Sequence, residues 1–166
     1  GISTALAEND GLTLDKVLEK FHFALERSEF VGGHNVKFDL NIMGAEFLRL
    51  SGKNPLEKLS IIDTCTEQTA SLCQLPGGRG GKFKFPTLSE LHNYLFGNDF
   101  IEAHNATADV EATTRCFFEL FRQGLIQPEV LINKPHVLNN LKEAIKHPVQ
   151  GIGLKHQNLK EASSKL

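Results

Sequence analysis

Only two short stretches of this chain have the character of β-strand, Glu29–Gly33 and Ser60–Thr64, and helical periodicity dominates the rest. Two strands among about five or six helical patterns do not make a stable sheet unaided. Either further strands hide in weakly patterned stretches, or part of the sheet is encoded before Gly1. An opening Gly1 in place of Met fits the second expectation, a chain cut from something longer. The expected class is α/β with an incomplete sheet.

The helical patterns have identifiable starts and stops. Thr13 can cap a helix with apolar positions Leu14, Val17, Leu18, Phe21 and Leu25. From Phe38 to Leu50 the residues Leu40, Met43, Phe47 and Leu48 recur at helical spacing, and Gly52 offers a stop. A short helix over Thr66–Cys73 is weakly signalled. Thr87-Leu88-Ser89-Glu90 is a capping box opening a helix that runs to Gly97. A long helix spans Asn105–Gln123 with Val110, Thr113, Phe117, Leu120 and Phe121 inward, and Gly124 ends it. Beyond it, Val137, Leu138, Leu141 and Ile145 form one more short helical pattern. From Val149 the chain is polar and lysine-bearing, as a linker or tail would be.

A length of 166 residues suits one domain. A net charge of −2 gives no global basic field, so any contact with nucleic acid must be local. Twelve Phe against one Tyr and no Trp suggest aromatic mass used in the core more than on the surface. Cys65, Cys73 and Cys116 lack C-x-x-C spacing and read as reduced, mostly buried thiols of a cytoplasmic protein. No apolar run approaches the roughly 18 residues a membrane span needs.

Two hexapeptides carry the chemistry. His34-Asn35-Val36-Lys37-Phe38-Asp39 and His104-Asn105-Ala106-Thr107-Ala108-Asp109 share a His-x4-Asp spacing, and each enters a helix. Singly, an acid in a first helical turn is what the helix dipole favours. Together, Asp39 and Asp109 look like ligands for hard divalent cations, whose shells are completed by water and phosphate. Two such ions roughly 4 Å apart can stabilise the attacking and leaving oxygens of a phosphoryl displacement. That arrangement needs about four carboxylates, and these two are half. His104 has the ordinary pKa for taking a proton from water at neutral pH. His34 orders its loop with Asn35. Glu102 and Glu111 are additional acids near Asp109 whose default place is a helix surface. His22, His92, His136, His147 and His156 have no carboxylate at metal-ligand spacing. The stretch Leu75–Lys82, rich in glycine, reads as a mobile basic loop, with Arg79, Lys82 and Lys84 offering positive charge to a single strand.

These residues resemble the DnaQ-like, DEDDh-type 3′–5′ exonucleases, the family of the proofreading epsilon subunit of bacterial DNA polymerase III. Val31–Asp39 is similar to the second family motif, and Ala103–Asp109 to the third, the more specific of the two. Ile62-Asp63-Thr64, Leu75-Pro76-Gly77 and Leu88-Ser89-Glu90-Leu91 follow the family's order between them, so the resemblance covers about residues 1 to 122. It implies an RNase H-like fold and two Mg2+ or Mn2+ ions held by Asp39 and Asp109. It also implies His104 as general base, and a single-stranded DNA 3′ end contacted near His34, Asn35 and Asn105. The family's first motif, an Asp-x-Glu on the first strand, has no counterpart here, nor has the three-stranded meander that carries it. By the resemblance, residues 1–125 are a partial exonuclease domain, 126–148 a short helical extension and 149–166 a linker or tail. The expected partner is a DNA polymerase III subunit or a fused polymerase region. This chain alone is expected to be inactive, to hold the metals poorly, and to be prone to pair with a second copy. Two alternatives stay open: an RNA-directed enzyme of the same type, or a non-catalytic binding module with the same fold.

Overall fold

The computed structural model describes residues 2–100, 105–126, 131 and 134–144. The architecture is mixed α/β, with seven α-helices and one two-stranded parallel sheet among the described residues. Strands β1 (Val31–Gly33) and β2 (Ile61–Asp63) pair in register as Val31 with Ile61, Gly32 with Ile62 and Gly33 with Asp63. Val31 N–H to Ser60 O and Thr64 N–H to Gly33 O, both 2.9 Å, close the ladder at its two ends. No third strand occurs among the described residues.

Helices cover the pair from both sides, and the side-chain alternation of a strand explains how. Val31 packs against Leu18, Leu25 and Phe47, which lie on α2 (Leu14–Glu26) and α3 (Val36–Ser51). Ile62, one step out of phase, faces the other way. It joins Leu131 and Leu141 in a cluster that also receives Phe30, Phe117, Phe118 and Phe121. Phe117, Phe118 and Phe121 lie on α6 (Ala106–Arg122), Phe30 directly precedes β1, and Leu141 lies on α7 (Pro135–Ala144). A third cluster, Leu91, Cys116, Leu120 and Ile126, joins α5 (Leu88–Phe96) to α6, with Leu72 and Cys73 of α4 (Glu67–Cys73) against it. The C-terminal helical extension therefore shares its core with β2. His136 and Lys134 also bond Glu29, just ahead of β1.

Several expectations change in detail. Helix α1 (Thr4–Asp10) buries no residue, which is why apolar periodicity gives no sign of it; Ser3 caps it by accepting from Leu6 N–H. Leu14 and Val17 point to solvent, leaving Leu18 and Leu25 as the buried stripe of α2. Helix α4 forms with a reciprocal box, Thr66 accepting from Thr69 N–H while Thr69 accepts from Thr66 N–H. The box at Thr87 and Glu90 forms as expected. Gly44 lets α3 approach the 3-10 turn Pro55–Lys58, because a Cβ there would lie 2.8 Å from Asn54 Nδ2. Cys116 is fully buried, which pushes its thiol up to about 12, while Cys65 and Cys73 are half-buried; all three are free. Phenylalanine is not confined to the core: Phe23, Phe38, Phe83 and Phe85 are exposed. No helix among the described residues is long and apolar enough to cross a membrane.

Candidate functional site

The β1–α3 junction is the best-defined corner of the molecule. Asn35 adopts the left-handed conformation (φ 57°, ψ 40°), a turn that asparagine tolerates better than most residues. Gly33 is needed just before it, since a Cβ would sit 2.7 Å from Val36 Cβ. The first N–H groups of a helix have no intrahelical partner. At α3 they are met from another element. Asp63, at the end of β2, accepts from Asn35 N–H at 2.8 Å and from Val36 N–H at 3.0 Å. It also accepts from Cys65 N–H at 2.8 Å, so one carboxylate ties the end of β2 to the start of α3.

His34 fills the same corner. Its Nε2 lies 2.9 Å from Pro86 O, and its Nδ1 lies 2.9 Å from Thr64 Oγ1. A carbonyl only accepts, so Nε2 carries a proton. In the neutral ring Nδ1 then accepts from the Thr64 hydroxyl. In the protonated ring Nδ1–H donates instead, and the hydroxyl turns to Gly33 O, 3.1 Å away. Burial pushes the His34 pKa below its ordinary 6.5, against the opposing pull of Pro86 O and the Asp63 charge. The sign follows: with the folded pKa depressed, the unfolded chain binds the proton more readily. His34 thus contributes stability that is complete above pH 6.5 and is lost as pH falls through the lower folded value. Denaturant midpoints should therefore fall between pH 7 and pH 5 by more in the wild type than in His34→Gln. Parallel curves for the two proteins would remove this assignment.

Asp39 is exposed in the first turn of α3. Asp109 is half-buried in the first turn of α6, and its N–H bonds Asn105 O at 2.8 Å. Asn105 caps that helix, its side-chain oxygen accepting from Thr107 N–H at 3.0 Å and Ala108 N–H at 3.4 Å. The proposed substrate contacts are thereby given structural work: Asn105 as a cap, Asn35 as a turn, His34 as a loop clamp. His104 and Glu102 lie outside the described residues. Among the described residues no three His, Cys, Asp or Glu side chains gather as a metal-binding group. Asp39 and Asp109 sit at the entrances of helices that cover opposite faces of the strand pair.

Two features escaped the sequence. Asp63 reads there as one residue of the short strand Ser60–Thr64, and nothing in its neighbours shows which amides it meets. His92 shows no partner in sequence, yet it is 1% exposed, its Nδ1 is 2.9 Å from Asn98 O, and its ring packs between Phe96 and Phe100. It borders a cavity of about 310 Å³ that Asp99, Glu111 and Arg115 also line. The basic loop is also more tightly held than its composition suggests. Lys84 N–H bonds Leu75 O at 2.9 Å, and Lys82 N–H bonds Arg79 O at 3.3 Å. No protein-family model, curated protein or solved structure matches this chain.

Proposed function

We propose that this chain carries the second and third catalytic motifs of a DEDDh-type 3′–5′ exonuclease built on an RNase H-like sheet, acting on single-stranded nucleic acid with DNA as the first substrate. The observation that carries the reading is the placement of Asp39 and Asp109. Each occupies the first turn of a helix packed on the parallel strand pair, and the α3 entrance is rigidly set by Asp63 and His34. As donors, two carboxylates suit a hard divalent cation, with water and substrate phosphate supplying the rest of its shell. Bound there, Mg2+ or Mn2+ would lower the pKa of water and offset charge on the phosphate. Asp39 and Asp109 supply about half of the carboxylates that a pair of such ions requires.

The protein's own part is proton transfer and positioning. His104 takes the proton of the attacking water as its oxygen bonds to phosphorus and the bond to the 3′ oxygen breaks. A 5′-mononucleotide leaves, and the shortened strand keeps a 3′-hydroxyl. In this reading the natural partner is a replicative polymerase, as a separate subunit or a joined region. The test is digestion of 3′-labelled single-stranded DNA and RNA by the intact gene product with Mn2+ or Mg2+. Stepwise release of labelled 5′-mononucleotides, abolished by EDTA and faster on DNA, is expected. Faster cleavage of RNA would move the substrate to that class. No metal-dependent release from either strand would end the exonuclease reading.

A further inference from the structure

The segment between the 3-10 turn Arg79–Gly81 and α5 alternates Lys82, Phe83, Lys84 and Phe85 before Pro86. Lys82 is extended (φ −81°, ψ 166°), and the segment belongs to no helix or strand. It is held at its middle and at its C-terminal end. Lys84 N–H bonds Leu75 O, and Pro86 is fully buried with its carbonyl on the His34 ring. On either side of Lys84, Phe83 is 44% and Phe85 49% exposed. A large apolar ring held half in water on a tethered strap is not explained by packing.

The geometry points to a stacking platform for single-stranded nucleic acid, formed by Phe83 and Phe85 and flanked by Arg79, Lys82 and Lys84. It rests on the nucleic-acid reading above and deepens it by naming the surface that grips the strand. Residues two apart in an extended chain are separated by about 6.6 Å, so the two rings can serve different bases. Aromatic rings stack on any base, which suits a strand bound without regard to sequence.

Charge favours this occupant over an apolar protein segment. Residues 77–86 carry three cations and no acid, in a chain whose net charge is −2. Arg79 is exposed and has no ion pair among the described residues. Lys82 Nζ meets Glu67 at 2.8 Å, but the two side chains are 71% and 74% exposed. Such open pairs are weak, so a phosphate can replace Glu67 at little cost. Lys84 stays nearer its place, bonded to both oxygens of Glu90 at 2.7 and 3.0 Å. The strap is continuous with the candidate site, because Phe85 directly precedes the proline whose carbonyl holds His34.

The chain has no Trp, so Phe85→Trp provides a single reporter. Titration with oligo-dT in EDTA should quench its fluorescence, and an abasic strand of equal length should do so little while binding about 5- to 150-fold more weakly per stacked base. By fluorescence anisotropy, Phe83→Ala/Phe85→Ala should lose about tenfold or more in affinity for oligo-dT. Because both rings are exposed, its melting temperature should match the wild type. Equal binding of thymine and abasic strands, wild-type affinity in the double variant, or no binding at all would each overturn the proposal. Tight capture of an apolar peptide with no response to oligo-dT would also overturn it, and would assign the strap to a protein. The assay excludes metal. Stacking without metal-dependent cleavage by the intact gene product would therefore leave the strap standing and the exonuclease reading fallen, and cleavage without stacking the reverse.

Discussion

In the intact gene product, alanine at position 104 is expected to lower the rate of metal-dependent nucleotide release by about 100-fold or more, with metal dependence otherwise unchanged. A positioned general base contributes about that much when it accepts a proton in the transition state. In the sequence His104 directly precedes Asn105, the cap of α6, and comes five residues before Asp109. Its removal should cost turnover and leave strand affinity alone, because it is not proposed as a phosphate ligand. The pH profile separates this role from a structural one. In the wild type the rate should rise with pH as the imidazole loses its proton. In His104→Ala that limb should vanish from the residual activity. Turnover within a few-fold of wild type would remove His104 as the base while leaving the metal ligands to be judged separately.

Replacing Asp63 by alanine should destabilise the protein by about 3 kcal/mol, measured by urea unfolding. Three backbone N–H groups, those of Asn35, Val36 and Cys65, lose a charged acceptor together. Bonds to a charged partner are each worth about 1.5–3 kcal/mol when buried, and partial exposure of this corner reduces the sum. The left-handed Asn35 also loses the contact that offsets its backbone cost. Asp63→Asn should fall between the two proteins. One amide oxygen can still accept from Asn35 and Cys65, but the other position presents an NH2 group to Val36 N–H. A change below about 0.5 kcal/mol for Asp63→Ala would show that water satisfies these amides as well as the carboxylate does.

How much of the site was legible follows from how local each signal is. Thr87 and Glu90 announce the start of α5 because a capping box is closed within four residues. The helix that carries Asp109 shows in its apolar repeat, and the helix that carries Asp39 in its repeat and its closing Gly52. The resemblance of the two His-x4-Asp segments in sequence does not survive as an equivalence in structure. His34 is clamped between Thr64 and Pro86, partners 30 and 52 residues away, and so serves the fold. Asn105 caps its helix through its side chain, whereas Asn35 at the matching place makes no such bond and turns the chain instead. The first pattern is closed locally and the second by tertiary contact.

By itself the sequence determined the entrances of α2, α5 and α6, the two strands and the presence of Asp39, His104 and Asp109, because periodicity, caps and turn residues act over a few neighbours. Only the tertiary structure decided that Asp63 caps α3 from another strand, that His92 is buried, and that the extension through α7 completes the core on Ile62. It likewise decided that Phe83 and Phe85 face solvent beside the site. Burial and long-range hydrogen bonding depend on what the fold brings alongside a residue, and nothing within a few positions of that residue encodes it.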